Sequence, residues 1–181
     1  MKYRWMIAAT VLLAASLGAA QEMKCPMHDQ HSQQPAATCC HGKEADHAGD
    51  VDTRGDEAMG FMHTKTTHHF LLKEDGGVIQ VTADDAQDGE SIRAIRAHLG
   101  HIATAFAAGD FDIPMFVHDQ TPPGVGEMKR LRSEIHYSFE ELERGGRVVI
   151  QTKDAGARTA IHQFLRFQIE EHRTGDPEAV Q

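Results

Sequence analysis

The chain has 181 residues and a formal net charge of −9, with 27 acidic against 18 basic side chains. This excess argues against nucleic acid and against anionic membrane surfaces as partners, and favours cations. The length fits one domain of ordinary size plus a tail.

Lys2 and Arg4 form a positive start, Met6 to Leu17 an apolar run, and Gly18-Ala19-Ala20 a small-residue site before Gln21. This pattern predicts a signal peptide over residues 1–20, removed on export. The apolar run is shorter than the ~20 residues a membrane span requires, and no cysteine directly follows the small residues, Cys25 lying too far on for a lipoprotein. The expectation is a periplasmic or secreted protein with no membrane insertion after cleavage. Losing Lys2 and Arg4 takes the net charge from −9 to −11.

Residues 21–60 contain almost no branched aliphatic or aromatic side chain, Val51 being the exception. Such a segment buries too little apolar surface to offset chain entropy, so a disordered tail is expected. Its chemistry is concentrated at Cys25-Pro26-Met27-His28 and Cys39-Cys40-His41, flanked by His31 and His47. Thiolate, thioether and imidazole suit copper first and zinc second, making Cys25, Met27, His28, Cys39, Cys40 and His41 candidate ligands. The alternative is a disulfide from Cys25 to Cys39 or Cys40, with the odd cysteine free. The Cys-Pro-Met-His tetrapeptide resembles the signature of the small heavy-metal-binding domain of copper efflux proteins. That resemblance covers about five residues and implies soft-metal binding by the tail.

From residue 61 to 176 the chain reads as a duplicated ββα domain. Thr64 to Lys73 is a predicted strand with Thr66, His68, Phe70 and Leu72 on one face. Glu74-Asp75-Gly76-Gly77 turns it and Val78 to Ala83 returns. A helix follows from about Ser91 to Ala108, with Ile92, Ile95, Leu99, Ile102 and Phe106 on one stripe and Gly109 as its stop. The second half repeats this order, with strands at Ile135 to Glu143 and Arg147 to Lys153 and a helix from Gly156 to Arg173. Phe70, Gly76, Gly77, Ile79 and Val81 match Phe139, Gly145, Gly146, Val148 and Ile150 at one constant offset. Ile95, Leu99 and Gly109 match Ile161, Leu165 and Gly175 at another. The implied fold is α+β: a four-stranded antiparallel sheet with two helices on one face, its halves spanning about 62–110 and 134–176. A Pro/Gly-rich insertion, 111–133, joins them with one helical turn at 127–132, and residues 177–181 are expected to be flexible.

The insertion supplies Met115 and His118, and the preceding helix supplies His98 and His101, neighbours on one helical face beside Ala94 and Ala105. A His-x-x-His followed by Met-x-x-His offers a copper or zinc site, so these four are the candidate ligands of the domain. With 13 histidines in the chain, some such spacings arise by chance, and the plain alternative is a core-edge His98, a solvated His101 and loop packing by Met115. His68 and His69 point to opposite faces of their strand, so only one of them can join a given site unless the strand bulges. His136 is expected to be exposed, and the helix dipole accounts for His172.

The stretch from Gly60 to Asp176 also resembles a family of small exported bacterial proteins, through His68-His69-Phe70, Gly76-Gly77, His98-Leu99, Gly109-Asp110-Phe111, Pro114-Met115, His118 and Thr121-Pro122-Pro123-Gly124-Val125. The resemblance implies a fold unit rather than a chemistry. Chains of this kind are sometimes called aspartate carbamoyltransferase, which the residues oppose: there is no Ser-Thr-Arg-Thr phosphate loop, and the chain is too short for that enzyme's two domains. A Gly-x-Ser-x-Gly elbow, a phosphate loop and a His-Glu-x-x-His helix are also missing from the sequence.

The leading expectation is an exported metal-binding protein that sequesters an ion or hands it on. The alternative is an envelope module that binds a protein partner or a small ligand without metal chemistry. A third is a small metal-dependent enzyme using His98, His101 and His118, with Asp119 as base.

Overall fold

The structure, a computed structural model, describes residues 42–181. Four strands form one antiparallel sheet in the order β1-β2-β4-β3, from β1 (Thr66–Lys73), β2 (Gly76–Ala83), β3 (Ile135–Leu142) and β4 (Gly145–Thr152). Two long helices, α2 (Gly89–Ala108) and α5 (Ala155–Glu171), cover the sheet's inner face. The fold class is the expected α+β arrangement. Among the described residues no helix is long and apolar enough to cross a membrane.

Alternation decides which face each strand buries. Phe70 and Leu72 of β1, Ile79 and Val81 of β2, Val148 and Ile150 of β4, and Ile135 and Tyr137 of β3 point inward. They meet Ile95, Leu99, Ile102 and Phe106 of α2 and Ile161, Phe164 and Leu165 of α5. The helices begin alike: Asp88 accepts the Ser91 N–H at 3.0 Å, and Asp154 the Ala157 N–H at 2.8 Å. Gly109, with φ 82°, closes α2. Gly77 has no side chain because Leu165 fills its place; a Cβ there would come within 2.2 Å of Leu165 Cδ1.

The two hairpins interlock reciprocally. Ile79 of β2 lies opposite Val148 of β4. Beyond the strand ends, Ala83 N donates to Arg144 O and Thr152 N to Asp75 O, so each hairpin's turn receives a bond from the other hairpin. The helices cross over in the same way. Arg96 of α2 donates to Leu142 O at 2.7 Å and Gly145 O at 3.1 Å, while His162 Nε2 of α5 lies 2.9 Å from Lys73 O and 3.0 Å from Gly76 O.

Three segments depart from the sequence reading. The disordered tail was expected to reach residue 60, but Gly42–Met59 form helix α1. Val51 of α1 is buried, Arg54 Nε donates to Val117 O at 2.8 Å, and Asp52 pairs with Arg173 at 2.7 Å. Polar contacts thus do much of the docking that an apolar stripe would ordinarily do. The insertion, expected to hold one helical turn, contains α3 (Asp112–His118) and α4 (Val125–Arg130). Pro114 is accommodated because it lies in the first turn of α3, where its missing N–H has no carbonyl to serve. The C-terminal residues, expected to be flexible, form a strap along β1: Asp176 accepts from Phe70 N at 2.9 Å, and Gln181 N donates to Leu72 O at 3.0 Å.

Candidate functional site

β1, α2, α3 and α5 converge under the end of α1 on a cavity of about 70 Å³. Its walls are mostly apolar, from Phe70, Ile79, Val81, Leu99, Phe106, Val117 and Phe164, with Gly55 and Met59 contributed by α1. Four imidazoles break this apolar lining: His68 of β1, His98 of α2, His118 of α3, and His172 just after α5. Gln168 is the remaining polar side chain. Among the described residues no serine, cysteine, lysine or carboxylate lines it.

The histidine rings form a chain. His68 and His172 lie parallel, 2° apart in plane with centroids 5.9 Å apart, and His172 meets His118 edge-on at 5.1 Å. Phe61 bridges to the fourth ring, at 6.1 Å from His68 and 5.8 Å from His98. His118 is 1% exposed, with Nε2 3.1 Å from Gln168 Oε1 and Nδ1 3.5 Å from Glu171 Oε2. His68 Nε2 is buried without a hydrogen-bond partner among the described residues, and so is Gln168 Nε2. Leaving such atoms unpaired costs roughly 1–3 kcal/mol each, which a bound ligand would relieve.

Burial governs the protonation of three of these rings. It lowers His68 to about 4, helped by His63 and His69, and lowers His98 to about 4, helped by His68 and His101. His172 falls to about 3 through burial, then through His118, His68 and Arg173. Burial thus favours the neutral form of the His172 ring, whereas the helix dipole alone would favour the charged one. A neutral imidazole offers one lone pair to a proton donor or a metal.

A second, more polar cavity of about 230 Å³ shares Gly55, Met59, His68 and His172 with the first. Val51, Asp52, His63, Thr66, Thr67, Arg173 and Thr174 complete its lining. The two histidines and Met59 therefore stand between a polar and an apolar chamber.

Of the candidate ligands in the domain, His98 and His118 line the apolar cavity, whereas His101 is exposed on α2 and Met115 is half-buried outside the lining. The tail candidates Cys25, Met27, His28, Cys39, Cys40 and His41, like the predicted signal peptide, lie outside the described residues. Among the described residues no group of three or more His, Cys, Asp or Glu side chains is already set to hold a metal ion. Sequence reasoning missed His172, Met59 and Gln168. It placed His68 on one strand face with Phe70 and Leu72, and a histidine sharing a face with two large apolar residues was the available signal.

No family model, curated protein or solved structure matches the chain.

Proposed function

We propose that the protein is an exported metal-binding protein, for copper first and zinc second, that sequesters the ion or hands it on. The observation carrying this reading is the gathering of His68, His98, His118 and His172 around one cavity, with the His68 Nε2 atom unsatisfied. Three of the four rings are neutral, the form in which imidazole binds a metal. The tail donors, read from sequence, provide capture, and the domain provides holding.

The test is the metal content and the copper and zinc affinities of protein purified from the periplasm without a histidine tag. A variant lacking residues 21–41 is compared with it; the deletion stops there because α1 walls the cavity. Tight binding in the whole chain that partly survives the deletion supports both roles. Affinity no better than ~1 mM, about 4 kcal/mol, overturns the reading.

A second reading, a module binding a small apolar ligand, is favoured by the largely hydrocarbon lining and by the unpaired Gln168 Nε2. Native mass spectrometry separates the two, since this reading requires a retained organic mass and no metal.

A further inference from the structure

Phe164, Gln168 and His172 follow one another at four-residue spacing along α5 and its C-cap, and all three line the apolar cavity. Gln168 is 4% exposed. One end of its amide is taken by His118, whose Nε2 lies 3.1 Å from Oε1, while the other end, Nε2, is buried without a hydrogen-bond partner among the described residues. We infer that this cavity binds a small neutral alcohol, its hydroxyl on the Gln168 amide and its short carbon chain against Phe70, Phe106, Phe164 and Val117. The inference rests on the second reading above, a module for a small apolar ligand, and deepens it by naming the ligand's class, its size and its anchor.

Size, charge and hydrogen bonding each narrow the choice. A dry apolar cavity of ~150 Å³ takes up benzene, and a water molecule occupies ~30 Å³ of the liquid. A volume of about 70 Å³ therefore suits a molecule of roughly three or four heavy atoms. No Asp, Glu, Lys or Arg side chain among the described residues lines the cavity, so a charged ligand would lose its hydration with nothing of opposite sign to pair with. Burial keeps His68, His98 and His172 uncharged, and they supply no counter-charge either.

The polar group of the ligand follows from the amide. A primary amide donates at its nitrogen and accepts at its oxygen, and a hydroxyl does both. A hydroxyl therefore satisfies the unpaired end of Gln168 whichever way the amide is turned, which a carbonyl or an ether does not. Water is the poorer occupant. A buried water holds about three hydrogen bonds, and the atoms of the lining that stand ready for one are Gln168 Nε2 on α5 and His68 Nε2 on β1. The alcohol instead places its carbon chain on the phenyl and aliphatic walls, where water finds no partner.

The experiment uses the whole chain, with a metal chelator present, and three probes that share a three-carbon body: 1-propanol, cyclopropane and propionate. Binding is followed by NMR titration, with the side-chain NH2 resonances of Gln168 as the local reporter. 1-Propanol should saturate at one per chain with a Kd of ~1 mM or tighter, shift the Gln168 resonances, and bind at least about 10-fold more tightly than either other probe. Gln168→Leu removes the amide at nearly constant volume; it should weaken 1-propanol by about 10-fold and leave cyclopropane binding in place. The comparison of probes on the unsubstituted chain decides the matter even if this variant unfolds.

Cyclopropane or propionate binding as tightly as 1-propanol overturns the inference, as does 1-propanol binding that leaves the Gln168 resonances unmoved. If no probe binds but native mass spectrometry finds a retained organic mass, the small-ligand reading stands and the alcohol assignment is lost. If no probe binds and no organic mass is retained, both fall.

Discussion

Arg96 of α2 reaches the β3–β4 turn and His162 of α5 the β1–β2 turn, so each long helix caps the hairpin that does not immediately precede it in the chain. Their targets are carbonyls of the residues flanking the two turns. Arg96→Met should cost about 1.5–3 kcal/mol and His162→Leu about 1 kcal/mol, the difference reflecting the charge on the guanidinium. The Arg96–Glu141 ion pair adds little because Glu141 is 64% exposed. Urea midpoints measure both, and losses of only a few tenths would mean that the turns hold themselves.

Gly124 is required by two separate constraints. Its φ is 83°, and a Cβ would come within 2.1 Å of Ala160 O on α5. Gly124→Ala should therefore destabilise the protein by about 3 kcal/mol or more. Gly126, two residues on and within α4, has open space around it; Gly126→Ala should raise stability by about 0.5–1 kcal/mol. Thermal melts of the pair would expose the contrast, and similar midpoints would refute it.

Tyr137 is buried on β3, and its hydroxyl has no hydrogen-bond partner among the described residues. Burial pushes its phenol above the ordinary value. The folded state thus keeps a proton that the unfolded chain releases at about pH 10, so stability is whole below that pH and falls as pH rises beyond it. Tyr137→Phe should flatten this alkaline decline and add about 1 kcal/mol at neutral pH by removing the unpaired hydroxyl. Chemical denaturation at pH 8 and pH 11 reads both effects, and an unchanged slope would count against the assignment.

Val51 is the aliphatic anchor of α1, at 1% exposure. Val51→Asp should release α1 while leaving the sheet and its two long helices folded, because besides Val51 the helix docks through Met59 at its end and a few polar contacts. Hydrogen exchange should show α1 amides losing protection and α2 and α5 amides keeping theirs. Uniform loss of protection would show that α1 belongs to the central cooperative unit.

The sheet and its two long helices were legible because their periods are clean. The inward strand residues alternate, and Ile95, Leu99, Ile102 and Phe106 return at helical spacing. α1 was not legible, since one buried valine gives no stripe and its docking partners, Val117 and Arg173, are distant in sequence. Gly60, with φ 74° and its N–H on Asp56 O, ends that helix and was its one local signal. α3 was hidden by Pro114, which reads as a breaker unless it is known to sit in a first turn. Half of the candidate cavity set, His98 and His118, came from spacing. His172 and Met59 did not, because only the meeting of α1, β1 and the end of α5 makes them neighbours of His68.

The strap that binds Asp176 to Phe70 and Gln181 to Leu72 also bears on self-assembly. An unpaired outer strand is a template on which a second copy can grow into a polymer. The chain's own last residues occupy that template along β1, which leaves β3 as the rim open to recruitment. Glu140, Glu141 and Glu143 lie at the far end of that rim, Glu140 paired with Arg147 and Glu141 with Arg96. One rim is thus occupied by the chain itself, which takes Phe70 N and Leu72 O out of reach of a second copy.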